Sequence, residues 1–386
     1  MSLIVVSGAI ANKLHQGGEA GVRLSYVLGL RRLGYSVFFL EQISGDACVD
    51  AAGQPCEFQH SENLAYFNRL TSEIGLADCA ALIPVPPNEE VQLNSELIDI
   101  ADAADALLNI SGHLSIEPLL LRFRKRVLID IDPGYTQYWH IDGLLGPQFS
   151  RHDWFFTIGE NLGNAICPIP TDGIDWIPTR PPVVLDMWPV VATNKEFRFT
   201  TIANWRGAFG SVRFGGKTFG LKAHEFRKVV QLPHTVSSTF ELALNIHPAD
   251  HHDKTSLEQN GWRLLDARAK SDTSEKYRQY IQDSSAEFSV AQGIYVETNS
   301  GWFSDRTTRY LASGKPALVQ DTGFSRYLPA SCGLVAFQSL QEAIAGAENI
   351  VGDYSRHCQA ARAIAEEFFD SDKVLNQLMR KIGVEP

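Results

Sequence analysis

The stretch SGWFSDRTTRYLASGKPALVQDTGFSRYLP, Ser300 to Pro329, sets the pattern for the second half of the chain. Ser304 can cap a helix whose first turn is Asp305, Arg306 and Thr307, and Gly314 and Pro316 stop that helix before a short apolar run, Ala317 to Gln320. A helix entered from a Ser/Gly loop offers free backbone N–H groups and the positive end of its dipole, the arrangement that a diphosphate needs. Arg306 would attract such a group, whereas Asp305 would repel one placed on that turn. An ordinary capped helix, with Asp305 compensating the dipole, explains the same residues.

Outward from this stretch, strands and helices alternate. Downstream, Leu334 to Phe337 reads as a strand, and two helices follow with Leu340, Ala343, Ile344 and Ala347, then Ala361, Ile364, Ala365 and Phe368, at helical spacing. Upstream, strands are expected over Phe199 to Ala203, Phe240 to His247, Trp262 to Leu265 and near Ala286 to Val290, with helices over Leu221 to Gln231 and Ser274 to Gln282. VRFGGKTF, Val212 to Phe219, reads as a hairpin turning at Gly215 and Gly216. Prolines at 168, 170, 178, 181, 182 and 189 break any regular element and mark a linker. Before it runs a first series: a strand Leu3 to Ser7, a long loop through Gly17 and Gly18, a helix from about Gly21 to Leu33 and a strand Ser36 to Glu41. Helices around Ser61 to Ile74 and Leu93 to Ala101 follow, then strands Ala106 to Ile110, Val127 to Ile131 and Trp154 to Ile158. The expectation is an α/β protein of two doubly wound, Rossmann-like domains facing one cleft. Residues 1–190, with a linker at 168–195, form the first domain and 196–370 the second; a last helix over 371–386 packs back on the first.

The 386 residues exceed what one core supports, in keeping with two domains. Apolar residues make up 44% and charged residues 20%, a soluble globular profile that argues against disorder. The net charge of −11 and the lack of any Lys/Arg run longer than Arg122 to Arg126 argue against a nucleic-acid partner. The six scattered cysteines spell neither a zinc set nor a redox pair, so reduced thiols of a cytoplasmic protein are expected. Leu3 to Val6 lacks a basic leader, and no apolar stretch is long enough to cross a bilayer.

The Ser300 to Pro329 segment, followed by GLVAF at Gly333 to Phe337, resembles the donor-binding half of GT-B glycosyltransferases. It is most similar to a bacterial group of such enzymes that carries nearly the same SGWFS…YLASG.P…QDTGF…LP pattern. GLRRLG at Gly29 to Gly34, LIDIDP at Leu128 to Pro133, FFTIGEN at Phe155 to Asn161 and EFSVA at Glu287 to Ala291 extend the likeness over nearly the whole chain. The resemblance implies transfer of a sugar from a nucleotide diphosphate donor (a UDP-, TDP- or GDP-sugar) held by the C-terminal half to a small-molecule or glycan acceptor held by the N-terminal half. It implies no further cofactor and no bound metal. It also implies that Arg206, in ANWRG, and Lys222, in GLKAHEF, neutralise the donor diphosphate, beside Ser304, Arg306 and Thr307; the alternative for each cation is a solvated surface group, with the functional reading favoured for Arg206. Many retaining members carry two glutamates around the Ser304 helix, and the corresponding positions here are Gly301 and Arg309, so ribose recognition must differ and retaining chemistry is not carried over.

Asp321, with Thr322 and Gly323, directly follows a strand; its carboxylate beside a glycine can accept hydrogen bonds from sugar hydroxyls, although aspartate in a turn is also a plain turn former. In the N-terminal half, His15 lies in the loop after the first strand, where inverting members of the fold often place their catalytic histidine. Asp132 follows the Val127 strand, and these two are the preferred catalytic residues, with His113 and Glu160 as rivals at equivalent strand ends. Asp130 and Asp132 spell the D-x-D of metal-dependent sugar transferases, weak evidence in an apolar strand. His251, His252 and Asp253 could bind a metal but read as a solvated loop. Two other functions stay open: a nucleotide-sugar epimerase or hydrolase on the same fold, and a non-catalytic nucleotide-sugar or glycan binding protein. A dehydrogenase is disfavoured, since no G-x-G-x-x-G opens a helix after a strand.

Overall fold

The computed structural model describes residues 1–86, 91–146, 148–192, 196–207 and 209–386. The end of the expected linker, 193–195, lies outside them. Short apolar runs that are buried on both faces suit parallel sheets, and two such sheets form. Among the described residues the N-terminal sheet holds β1 (Leu3–Ser7), β2 (Ser36–Ser44), β3 (Ala80–Val85), β4 (Ala106–Ile110), β5 (Arg126–Asp130), β6 (Trp154–Thr157) and β7 (Trp176–Pro178). Their order is β3-β2-β1-β4-β5-β6-β7, and every adjacent pair is parallel. The C-terminal sheet holds β8 (Arg198–Asn204), β11 (Thr239–Asn245), β12 (Arg263–Asp266), β13 (Ala286–Ser289), β14 (Ala317–Gln320) and β15 (Leu334–Phe337), with the hairpin β9 (Arg213–Phe214) and β10 (Lys217–Thr218) outside it. Its order is β12-β11-β8-β13-β14-β15, again parallel throughout. The strand order reverses between β1 and β4 in one sheet and between β8 and β13 in the other, which opens a crevice at each carboxyl edge.

Three features depart from expectation. The first helix spans Gly17–Arg32 and so begins at the two glycines expected in a loop. A Cβ at Gly17 would lie 2.3 Å from the Thr273 carbonyl oxygen of the other lobe, so Gly17 serves close approach rather than a turn. β3 carries Pro84 at the sheet edge, where proline costs no ladder bond, and β7 ends at Pro178. His251 and His252 do not lie in a loop but open a helix, His251–Gln259.

The chain crosses between the lobes twice, and the crossings are tied together. The Val183 amide donates to the Phe369 carbonyl at 2.8 Å, and the Ser371 amide to the Val183 carbonyl at 2.9 Å. Past this point the Ser371–Lys381 helix lies on the Gly17–Arg32 helix, and Leu375, Leu378 and Met379 enter the same core as Val27 and Leu30. Gly29 allows this contact, since a Cβ there would sit 2.5 Å from Leu375 Cδ1. Lys125 Nζ donates to the carbonyls of Ile382 and Gly383 and holds the end of the chain. A third apolar cluster spans both lobes: Tyr135, Tyr138 and Ile169 meet Val212, Phe219 and Ile294.

Leu375→Ala should leave a cavity in the N-terminal core and cost about 2–5 kcal/mol. Urea unfolding followed by tryptophan fluorescence would show a lowered midpoint; an unchanged midpoint would mean that the last helix contributes no packing to that lobe.

Candidate active site

Between the lobes lies a cleft of about 1050 Å³. Its floor is made where the carboxyl ends of β1, β4 and β5 face those of β8, β11, β12 and β13, as ligand sites of open parallel sheets require. Of the residues proposed from sequence, His15, Asp132, Lys222, Ser304 and Arg306 line it together.

On the C-terminal wall, Ser304 Oγ accepts from the Arg306 amide and caps the Asp305–Ala312 helix. The Arg306 side chain turns beneath the helix. Its Nε donates to Glu287 Oε1 at 2.7 Å, and the other nitrogens to the Ile202 carbonyl and Ser289 Oγ. Glu287 has no exposure, so this guanidinium is spent on neutralising a buried carboxylate. Lys222 differs. Its backbone amide donates to Gln292 Oε1, while among the described residues its ammonium has no hydrogen-bond or ion-pair partner. Burial and the Arg306 guanidinium push that ammonium down to about 7, against the pull of Asp305 and Glu287. A cation held in this way gains from any anion that enters the cleft.

Other candidates of this lobe lie outside the cleft lining. Arg206 directs its guanidinium to Asp250, at 2.9 and 2.5 Å, and is 60% exposed, although its neighbours Asn204 and Gly207 line the cleft. Thr307 is buried beside Glu287. Asp321 acts locally: Oδ1 accepts from the amides of Gly323 and Ser325, and Oδ2 from Ser325 Oγ and Gln338 Nε2. Thr322 donates to the Trp302 carbonyl. Gly323, at φ 96°, makes room for Asn161 of the N-terminal lobe, whose Nδ2 would lie 2.5 Å from a Cβ there. The 321–323 turn therefore joins the lobes and offers no free sugar ligand. Sequence reasoning passed over Asp266, Arg268, Asn245 and Gln292, which line the same wall; their positions at or just beyond the carboxyl ends of β12, β11 and β13 were the available signal.

On the N-terminal wall, the Glu41 carboxylate accepts from the amides of Ile10, Ala11 and Asn12 and so fixes the loop that carries His15. His15 adopts φ 58°, packs edge-on against Tyr66, and has Nε2 3.9 Å from Glu62 Oε1. Asp130 is fully buried, and its oxygens accept from Thr136, Gln137, Thr157 and the Asp132 amide. With those positions filled it has no lone pair aimed at a metal, and no cluster of three or more His, Cys, Asp or Glu suited to a metal occurs among the described residues. Asp132 Oδ1 accepts from the Tyr295 hydroxyl of the other lobe, at 2.8 Å, and from no other group among the described residues. Burial, with Asp130 and Glu19 nearby, pushes its carboxyl up to about 7, where a general base operates best. His113 also lines the cleft; burial with Arg23 and Lys13 pushes its imidazole down to about 3. Glu160 is paired with Arg180 and does not line the cleft.

No family model and no curated protein matches the sequence. Solved structures do match the fold over its whole length. An α-glucosyltransferase in complex with UDP superposes with a TM-score of 0.59 at 10% identity, covering 99% of each chain. The Anabaena protein HepE in complex with UDP and glucose gives 0.62 at 11% identity, again 99% of each chain. Sucrose-phosphate synthase from Thermosynechococcus elongatus gives 0.52 at 11% identity over 99% of each. The chain thus has the two-domain GT-B fold that its sequence led us to expect.

Asp132 binds its proton more tightly when folded than in the unfolded chain, where an aspartate ionises near its ordinary 3.8. Its contribution to stability is therefore full below about pH 4 and is lost as the pH rises toward 7. The stability of the natural protein relative to Asp132→Asn should fall between pH 4.5 and 7, measured by urea unfolding at several pH values. A difference that does not vary with pH would show that the carboxyl titrates normally.

Proposed function

We propose that the protein is a glycosyltransferase that moves a sugar from a nucleoside diphosphate, with UDP the first base to try, to a hydroxyl-bearing acceptor. The observation that carries this reading is the unpaired Lys222 ammonium beside the capped start of the Asp305–Ala312 helix, in one cleft with an Asp132 carboxyl titrating near neutrality. As the bond from the anomeric carbon to the diphosphate breaks, charge builds on the leaving phosphate, and Lys222 with the helix-start amides stabilises it. Asp132 takes the acceptor proton as its oxygen attacks, and His15 is the alternative base. The cleft walls exclude water that would hydrolyse the donor. The nucleotide sugar is the only cosubstrate that this scheme requires, and a small molecule or glycan suits the acceptor side better than DNA on a chain of net charge −11. No described helix is long and apolar enough to cross a membrane.

Calorimetry with UDP tests this reading. Binding should be unaffected by EDTA. At pH 8 it should take up about one proton as Lys222 becomes charged against the diphosphate, seen as a dependence of the heat on buffer ionisation. Lys222→Met should abolish the uptake and weaken UDP at least about tenfold, the worth of one charge-assisted contact. Arg206→Ala, which loses an exposed pair, should weaken it less. A protein that binds neither UDP, TDP nor GDP is not this enzyme.

A further inference from the structure

Resting on that reading, the N-terminal wall carries a second cation site that the scheme above does not use. At the crevice between β1 and β4, Arg23 is 3% exposed, and its stem lies so close to Gly8 that a Cβ there would be 2.7 Å from Cγ. Its Nη1 is held by Glu19, through a carboxylate oxygen at 2.6 Å and the carbonyl at 3.3 Å. Among the described residues Nε and Nη2 have no partner. Those two nitrogens form the side-on edge of a guanidinium, the edge that matches two oxygens of a carboxylate or phosphate. Around it stand Lys13, whose ammonium has no ion-pair partner among the described residues, Ser111 with an unpartnered Oγ at φ 56°, and the neutral ring of His113. All four line the cleft.

A buried guanidinium with an unmade hydrogen bond is costly, and a ligand, ion or water that completes it removes that cost. The positive charge here is local: Arg23 and Lys13 both act on His113, and both hold the Glu19 carboxylate below its ordinary range although burial opposes ionisation. Glu19 occupies the end-on side of Arg23 and leaves the side-on edge free. We propose that this crevice binds an oxyanion of the acceptor, a carboxylate or a phosphate, so that the enzyme selects an acidic acceptor and orients its hydroxyl toward the base by gripping the charged end. The C-terminal wall meanwhile holds the donor diphosphate at a separate place.

Three hexoses that differ only at C6 distinguish the sources: glucose 6-phosphate, glucuronate and glucose, titrated calorimetrically into the protein with and without saturating UDP. One acid should bind per chain at least about tenfold more tightly than glucose. Lys13→Ala, at a half-buried loop position, should remove most of that preference while UDP affinity stays unchanged, and Arg23→Gln should do the same if its melting temperature shows it folded. Inorganic phosphate should compete if the phosphate is the better ligand, and acetate if the carboxylate is. Acids that bind no better than glucose, or a preference that survives in folded Lys13→Ala, overturn the inference. If UDP binds and the acids do not, this proposal alone falls. If the acids bind and no nucleotide does, the oxyanion site stands and the donor reading falls.

Discussion

The C-terminal lobe is organised by one buried ion pair. Glu287 stands on β13, the middle of its sheet, with no access to water, and Arg306 reaches it from the first turn of the helix that follows β13 and its loop. Two charges taken out of water are held best when they meet in good geometry with their remaining hydrogen bonds made; Arg306 makes its own to the Ile202 carbonyl on β8 and Ser289 on β13, while Glu287 Oε2 has no hydrogen-bond partner among the described residues. The pair therefore dictates where the helix begins relative to two strands and brings its capped start to the cleft. Glu287 offsets part of the Arg306 charge, and the remainder is still felt at Lys222, the unpaired cation of this wall. An arginine that looked like a phosphate ligand is the beam under the site, and a lysine one strand away carries the free charge.

The joint between the lobes follows the same economy. Arg309 is 2% exposed and donates to the Gly18 carbonyl and to the Tyr277 hydroxyl. It also lies over the rings of Tyr277 and Trp188. A carboxylate there could not make these contacts with a carbonyl and ring faces. Arg309 thus places a cation between the lobes, where it meets the Gly17–Arg32 helix at its glycine-rich start.

What the sequence made legible was periodic or punctuated. The strands Ala317–Gln320 and Leu334–Phe337 and the helix Ser274–Gln282 were expected at their observed bounds, because caps, glycines and prolines mark them. β3 was missed because half its face is left open at an edge and proline interrupts its apolar run. The helix start at Gly17 was missed because its reason is a contact with Thr273, some 250 residues away in sequence, and no local pattern records such a contact. In the site, strand-end position for His15 and Asp132, the capped helix start for Ser304 and Arg306, and the resemblance for Lys222 picked residues that line one cleft. They could not tell whether a charge would be free. Arg206 finds Asp250, and Asp321 finds two amides and a serine, partners that only folding supplies.

The knot of Val183 with Phe369 and Ser371 has a mechanical consequence. Two bodies joined by a single peptide thread can swivel about it in any direction. Here the outgoing and returning threads are stitched side by side, and the stacked rings of Phe303 and Phe369 press the stitch against the second body. Twisting one body against the other would shear those bonds, so the stitch fixes the register in which the Tyr295 hydroxyl of one body meets Asp132 of the other.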